Sequence, residues 1–330
     1  RRALDAEVPM RAVTDADLVL GKLDPENFAG GSIKLKKSSS ETVLQNVLGN
    51  SLDMDAITSA FGLVEVVDEN MANAARVHAV ENGEDLSQYT MIAFGGAAPL
   101  HAGRLCEKLG VDRLLVPQGA GVGSAIGFLR APFSFEANRS VYMSLSNFND
   151  KKIKNIFTEL QLEATKFVRD CDPISEILSE FKVYMRYSGQ GWEIPIVLTK
   201  DQAMIPDVDT FKSRFIEDYV KLFGRAVDGM DIEITVWSVN ATTPHEEVKS
   251  IMENSHTKNT PSDGQRKLYD HQTEDFKVVD VVLRNNMIAG SSVDGPIIIA
   301  EDETTIIVPA NRTAICQSDG SIDMRLKVLK

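Results

Sequence analysis

The chain has 330 residues, and 35 Lys and Arg against 48 Asp and Glu leave a net charge of −13. That balance excludes nucleic acid or an anionic membrane as the main partner, because either polyanion is repelled at long range. Hydrophobic residues at 43% exclude wholesale disorder, and at about 150 residues per domain the length predicts two domains.

In chain order, Asp15–Leu23 reads as a short amphipathic helix with Thr14 as its N-cap. Asp24-Pro25 and Gly30-Gly31 break the chain, and Lys34, Lys36 and Lys37 with Ser38–Ser40 make a polar connector. Ser40–Leu48 is a second predicted helix, capped by Ser39 or Ser40. Asp53–Val80 is the longest, with Ile57, Phe61, Val64, Val67, Met71, Ala74 and Ala75 on one face. An α/β pattern follows: short buried strand Tyr89–Phe94, turn Gly95–Pro99, helix Leu100–Leu109 ended by Gly110, strand Val111–Val116, then a Gly-rich helix start. Parallel strands with right-handed crossovers are the natural solution for such an order.

After Pro132 the pattern changes. Phe133–Leu145 reads as a strand and Lys151–Arg169 as an amphipathic helix. Phe181–Tyr187 and Trp192–Leu198 form a predicted hairpin around Ser188–Gly191. Asp209–Phe223 is a helix stopped by Gly224, and Ile232–Asn240 a strand. Residues 241–263 hold few apolar side chains and read as an exposed linker. The remainder is β-rich: Phe276–Leu283, Ile297–Glu301, Thr304–Pro309, Arg312–Gln317 and Ile322–Leu329. The three cysteines lie far apart without a CxxC or Cys/His cluster, which fits a reduced, cytoplasmic protein. No apolar run approaches the ~20 residues of a membrane span.

The sharpest local signal is Gly95-Gly96, between a strand and a helix. Glycines permit positive φ and close approach of a flat ligand, and a helix start offers N–H groups and a positive dipole end. The same glycines also serve a tight strand-to-helix connection, so both readings stay open. Gly119, Gly121, Gly123 and Gly127 fit close helix packing better than a ligand loop. No Walker pattern is present. His101 stands one turn into the helix, as a ligand contact or a structural residue. Asp15 and Asp17 fit helix capping, or contact with magnesium or substrate. Gln190, on the hairpin, belongs to a binding surface or a structural corner.

Five segments together resemble one family: VTDADLVLGKLDPENFAGG (13–31), IAFGGAAPLHAGRL (92–105), LLVPQGAGVGSAIGFLRA (114–131), RYSGQGWEIPIVL (186–198) and DGPIIIAEDETTIIVPA (294–310). They look like the ATP-dependent hydantoinase A/5-oxoprolinase family, which includes acetone and acetophenone carboxylase subunits. The resemblance implies an α/β fold: part of an actin/Hsp70-like ATPase lobe (1–132), followed by a β-rich α+β C-terminal domain (133–330). It implies ATP and Mg²⁺, and phosphorylation of a carbonyl or enol oxygen that drives cyclic amide hydrolysis or ketone carboxylation. Hydrolase and ligase are not separated by these motifs. By the same resemblance Gly95, Gly96, Ala97 and Ala98 bind the nucleotide, with His101 as a neighbour; Asp15, Asp17 and Gln190 are further candidate neighbours of the site.

Two departures qualify the resemblance. Ala98 replaces the third glycine of the usual GGAGPLHA, and its methyl is expected to narrow the ligand's approach. Neither phosphate-binding loop of the actin-like fold, a D-x-G-G-T type and a second GGT type, occurs in the sequence. The chain is therefore expected to be the C-terminal half of a longer protein, or a split subunit, inactive alone toward ATP. Its expected partners are the N-terminal half or a sister subunit, a hydantoinase B-like subunit and a small-molecule substrate. The alternative is a non-catalytic scaffold subunit of such a complex.

Overall fold

The computed structural model of the chain describes residues 13–245 and 258–327. The fold is mixed α/β with three sheets. Its described residues divide into two compact units, one of residues 13–129 together with 258–327, the other of residues 130–245. The expected break at 132/133 is close to the first crossing point. The expected single unit from 133 to the C-terminus differs: its last strands join the first unit, because two of its sheets are built from them.

The first unit begins with α1 (Val13–Val19), α2 (Lys37–Leu44) and α3 (Ala56–Asn82). Thr14 lies inside α1 rather than at its cap. The expected Ser39 or Ser40 cap is also absent, since α2 starts earlier, after Lys36, and takes Ser38–Ser40 into its body. Asp55 caps α3 by accepting from the Thr58 N–H, and Gly83 ends it in the left-handed conformation. The buried stripe of α3 includes Ala60, Val64, Asp68 and Ala72; of the predicted face, Val64 is buried and Ile57 and Phe61 pack half-buried beside it, while Met71 and Ala74 are exposed. These residues recur every fourth position, and Ala60 and Val64 meet Ala16 and Val19 of α1, Leu20 just after it and Leu44 of α2.

Strand β1 (Thr90–Ile92) is an exposed edge strand, not the buried strand expected, with Ile92 61% exposed. It pairs in parallel with β2 (Arg113–Val116), and α4 (Ala98–Leu109) crosses between them. Pro99 sits in the first turn of α4 and Gly110 at its C-cap. A 3₁₀ turn (Ala120–Val122) then leads into α5 (Gly123–Arg130). The tight glycines here are packing devices. A Cβ on Gly121 would fall 2.6 Å from the Glu303 Cβ, and one on Gly123 would fall 2.3 Å from the Phe94 ring.

The second unit is an antiparallel sheet with helices. Its strands are β3 (Ser134–Ser144), β4 (Leu178–Tyr187), β5 (Ile194–Leu198) and β6 (Ile232–Thr242), in the order β3-β6-β4-β5. Its helices are α6 (Asp150–Cys171), α7 (Lys200–Met204) and α8 (Val208–Phe223). Phe157 of α6 and Phe211 and Phe215 of α8 are fully buried with Trp237 of β6. Gly224 ends α8 in the left-handed conformation.

The chain then returns to the first unit. Of the expected linker, β6 takes the first residues, while residues 246–257 lie outside those described. Strands β7 (Lys258–Asn259), β8 (Gly264–Asp270) and β9 (Asp275–Leu283) lead on. They are followed by β10 (Ser291–Asp294), β11 (Ile297–Ala300), β12 (Thr305–Val308), β13 (Arg312–Cys316) and β14 (Ile322–Leu326). One sheet runs β1-β2-β14-β13-β10-β7 and another β12-β11-β9-β8. Within the first, β1 and β2 are parallel as expected, β7 and β10 are also parallel, and β2 pairs antiparallel with β14. The buried Arg312 guanidinium donates to the Val111 and Asp112 carbonyls, joining β13 to the chain before β2.

Candidate functional site

A cavity of about 550 Å³ in the first unit opens beside Gly96 and Ala97 of the glycine turn. That volume is in the range of pockets that hold cofactors and small ligands. Its walls come from α1 (Thr14, Asp17), the loop after it (Asn27, Phe28, Ala29), the turn (Gly96, Ala97), Gly121, and the segment Ala300–Thr305. The turn is fastened on both sides. Gly95 N–H donates to the Ala120 carbonyl at 2.9 Å, and the Thr304 hydroxyl donates to the Gly96 carbonyl at 2.6 Å. Gly95 has φ +115°, a value that side-chain-bearing residues rarely adopt. Nothing stands within 4 Å of where its Cβ would be, so that side of the turn is open.

The cavity is acidic. Asp17, Asp24, Glu301, Asp302 and Glu303 face one lining cation, Arg266, which donates to Asp24 Oδ2 at 3.1 Å. Burial pushes the Glu301 carboxyl up; the ion pair with Arg284 opposes this, and the Glu303 and Asp302 charges add to it. A flat, neutral group meets no penalty against the glycine turn, whereas a bare polyphosphate is repelled by this wall. Among the described residues, no group of three His, Cys, Asp or Glu is placed to hold a metal ion.

Behind the cavity runs a buried chain of charges. His101 of α4 lies 3.1 Å by its Nε2 from Asp17 Oδ2 and 3.0 Å by its Nδ1 from Asp68 Oδ1. Lys22 Nζ lies 3.0 Å from the other Asp17 oxygen. One imidazole thus ties α4 to α1 and α3. Two carboxylate partners call for two N–H donors, which is the imidazolium form. Burial alone would lower the His101 pKa, but the bonds to Asp17 and Asp68 outweigh it and raise it above its usual value. Burial would likewise raise Asp17, but the Lys22 charge and the His101 bond hold it below the usual carboxylate value. Asp17 is therefore held as an anion at the cavity wall.

The expected residues separate accordingly. Gly96, Ala97 and Asp17 line the cavity, and His101 stands directly behind Asp17. Ala98 does not line it. Its side chain packs on the core cluster that includes Ala93 and Ala102, so the expected narrowing by its methyl does not arise. Asp15 accepts from the Ser40 hydroxyl at 2.7 Å and ties α1 to α2. Gln190 belongs to the second unit, where its amide donates to the Tyr219 hydroxyl at 3.0 Å, a structural corner. Lys22, Asp68 and the carboxylates at 301–303 are site residues that the sequence patterns did not single out. Asp68 carries a legible signal, an acid at the fourth position after Val64 on the apolar face of a helix.

Two family models match the chain: hydantoinase/oxoprolinase over residues 8–137, and the hydantoinase/oxoprolinase C-terminal domain over residues 145–323. An uncharacterised protein of Methanocaldococcus jannaschii is 28% identical, over 94% of this chain and 44% of its own length. The caprolactamase alpha subunit of Pseudomonas jessenii is 24% identical, over 90% of this chain and 44% of its own length. Among solved structures, nucleotide-free acetone carboxylase aligns with a TM-score of 0.77 at 23% identity, over 97% of this chain and 47% of the other, which shows a shared fold. The chain thus spans under half the length of these relatives.

Proposed function

The chain belongs to the hydantoinase/oxoprolinase family, and on that premise we propose that it supplies the adenosine side of an ATP site. In this reading the cavity at Gly96 and Ala97 receives the adenosine. The observation that carries the reading is the fit between a roomy cavity and a glycine turn fastened by Thr304 and Ala120, with its open side free of side chains. Gly95 keeps the left-handed turn, Gly96 lets the ligand approach the backbone, and the Ala97 methyl gives an apolar contact. Ala98 serves the core and not the ligand.

Asp17 is the cavity's prepared anion. His101 and Lys22 fix its position and keep its proton off, so it accepts a hydrogen bond from a substrate or nucleotide hydroxyl at a fixed place. ATP, when bound, supplies the phosphoryl group that activates a carbonyl or enol oxygen. The acidic wall needs compensating charge before a triphosphate settles there. Among the described residues no group of three His, Cys, Asp or Glu is gathered for a metal. The reading therefore assigns phosphate grip and metal to the N-terminal half or sister subunit, and the substrate to a cyclic amide or a ketone. A hydantoinase B-like subunit and a cytoplasmic setting complete it.

The test is adenosine-nucleotide binding by calorimetry, on the chain and on the chain with its N-terminal half. Binding that Gly96→Phe removes without lowering the melting temperature supports the reading. Binding indifferent to Gly96→Phe refutes it. A non-catalytic scaffold role predicts the same fold with no nucleotide heat in either preparation.

A further inference from the structure

Among the described strands, β1 ends its sheet with β2 as its one neighbour. From Tyr89 to Phe94 there is neither a charged residue nor a proline. Folded proteins blunt a free edge with such residues, because its unpaired backbone groups otherwise recruit another strand. Parallel pairs such as β1 and β2 are also ordinarily covered on both faces.

The backbone of β1 divides residue by residue. The Ala93 N–H donates to the Leu115 carbonyl, beside β1 on β2, at 2.9 Å. Alternation therefore turns the N–H and C=O of Thr90 and Ile92 outward, to the free edge. The side chains divide in step. Ala93 is buried in the core, whereas Ile92 and Phe94 stand on the other face, 61% and 55% exposed. The Phe94 ring lies against Gly123 and so joins this edge to α5. Helix α5 buries none of its residues, and its Phe128 and Leu129 are 85% and 88% exposed.

Single apolar residues on a surface are ordinary, but an unprotected backbone edge beside an apolar helix marks a site of protein contact. Its occupant must supply an extended segment and an apolar cover. The aligned relatives carry more than half of their length outside the span that this chain matches, enough polypeptide for both. A second copy suits the surface less well, since two chains of net charge −13 repel.

We propose that β1 and α5 form the docking surface for the N-terminal half, which adds a strand along the Thr90–Ile92 edge and covers Phe94, Phe128 and Leu129. The choice of occupant rests on the function proposed above. β1 runs into the Gly95-Gly96 turn, so a strand added there brings the half assigned the phosphate grip beside the nucleotide cavity.

The test is amide exchange read residue by residue, without nucleotide, on the chain alone and on the chain co-expressed with its N-terminal half. In the complex the Ile92 amide should exchange about a hundredfold more slowly, or slower still, than in the chain alone. The Ala93 amide, already bonded toward β2, should be protected in both. Ile92→Asp puts a charge on the edge at an exposed position, and should cut recovery of the N-terminal half about tenfold or more. Leu162→Asp, on α6 of the second unit and 72% exposed, should leave recovery unchanged. Because nucleotide is absent, docking stands or falls here separately from the adenosine site. A complex in which Ile92 exchanges as freely as in the chain alone would overturn the proposal. So would recovery indifferent to Ile92→Asp or equally lost with Leu162→Asp, no complex at all, or Ile92 protected in the chain alone by a dimer of its own copies.

Discussion

Replacing His101 by Ala is the sharpest perturbation of the candidate site. The substitution leaves Asp17 and Asp68 buried, at 2% and 0% exposure, without the donors they now share. Breaking a buried ion pair by removing one partner costs about 3–5 kcal/mol, and here one ring serves two carboxylates. Lys22 still reaches Asp17, which limits the loss on that side, so the expected cost stays at about 3–5 kcal/mol. Both tryptophans, Trp192 and Trp237, lie in the second unit, so their emission does not follow this event. Hydrogen exchange of the α4 amides does, and the opening free energy there should fall by that amount.

The pH dependence has a definite sign. The folded His101 pKa is raised, so its contribution is complete below about 6.5 and fades as pH rises through the folded value. The folded Asp17 pKa is lowered, so its contribution is complete above about 3.8 and fades as pH falls through the folded value. Wild-type α4 protection should therefore be greatest between these limits and decline on the alkaline side. The His101→Ala variant should lack that alkaline decline. A loss below about 1 kcal/mol, or an unchanged pH profile, would refute the imidazolium bridge.

Other consequences are directly measurable. Gly121→Val places a side chain against the Glu303 backbone, where its Cβ would fall 2.7 Å from the carbonyl oxygen, so it should lower the melting temperature and weaken nucleotide binding together. Of the three thiols, Cys171 is exposed while Cys106 and Cys316 are buried, and burial pushes the Cys106 thiol up to about 11; one fast-reacting thiol is expected with a disulfide reagent in the native state, and two would contradict the packing. Phe157→Ala empties a site between Phe181 and Trp237 and should cost about 3–5 kcal/mol, read by Trp237 emission in urea.

Much of the fold is legible in the chain because local rules decide it. Gly83, Gly110 and Gly224 end the helices at which they stand, and Pro99 opens α4, each by its own backbone chemistry. The alternation in Ile232–Asn240 yields β6. What sequence patterns miss depends on distant partners. β1 reads as buried because TMIAF is apolar, but its place at a sheet edge is set by pairing and not by composition. β8 and β10, with Lys, Asp and Ser among few apolar residues, carry little strand signal of their own and pair with β9 and β13. The site divides in the same way. The glycine turn is visible locally, whereas Asp68 lies 33 positions from the histidine it holds, and the acidic wall at 301–303 some two hundred residues from the turn it faces.

Adenosine seated against Gly96 and Ala97 is the central claim, and photo-crosslinking with an azido-adenosine nucleotide, followed by peptide mapping, tests it most directly. The label should fall within residues 93–105 or 300–305, compete with ATP, and disappear in Gly96→Phe. Label confined to the second unit, or undiminished in Gly96→Phe, would contradict it.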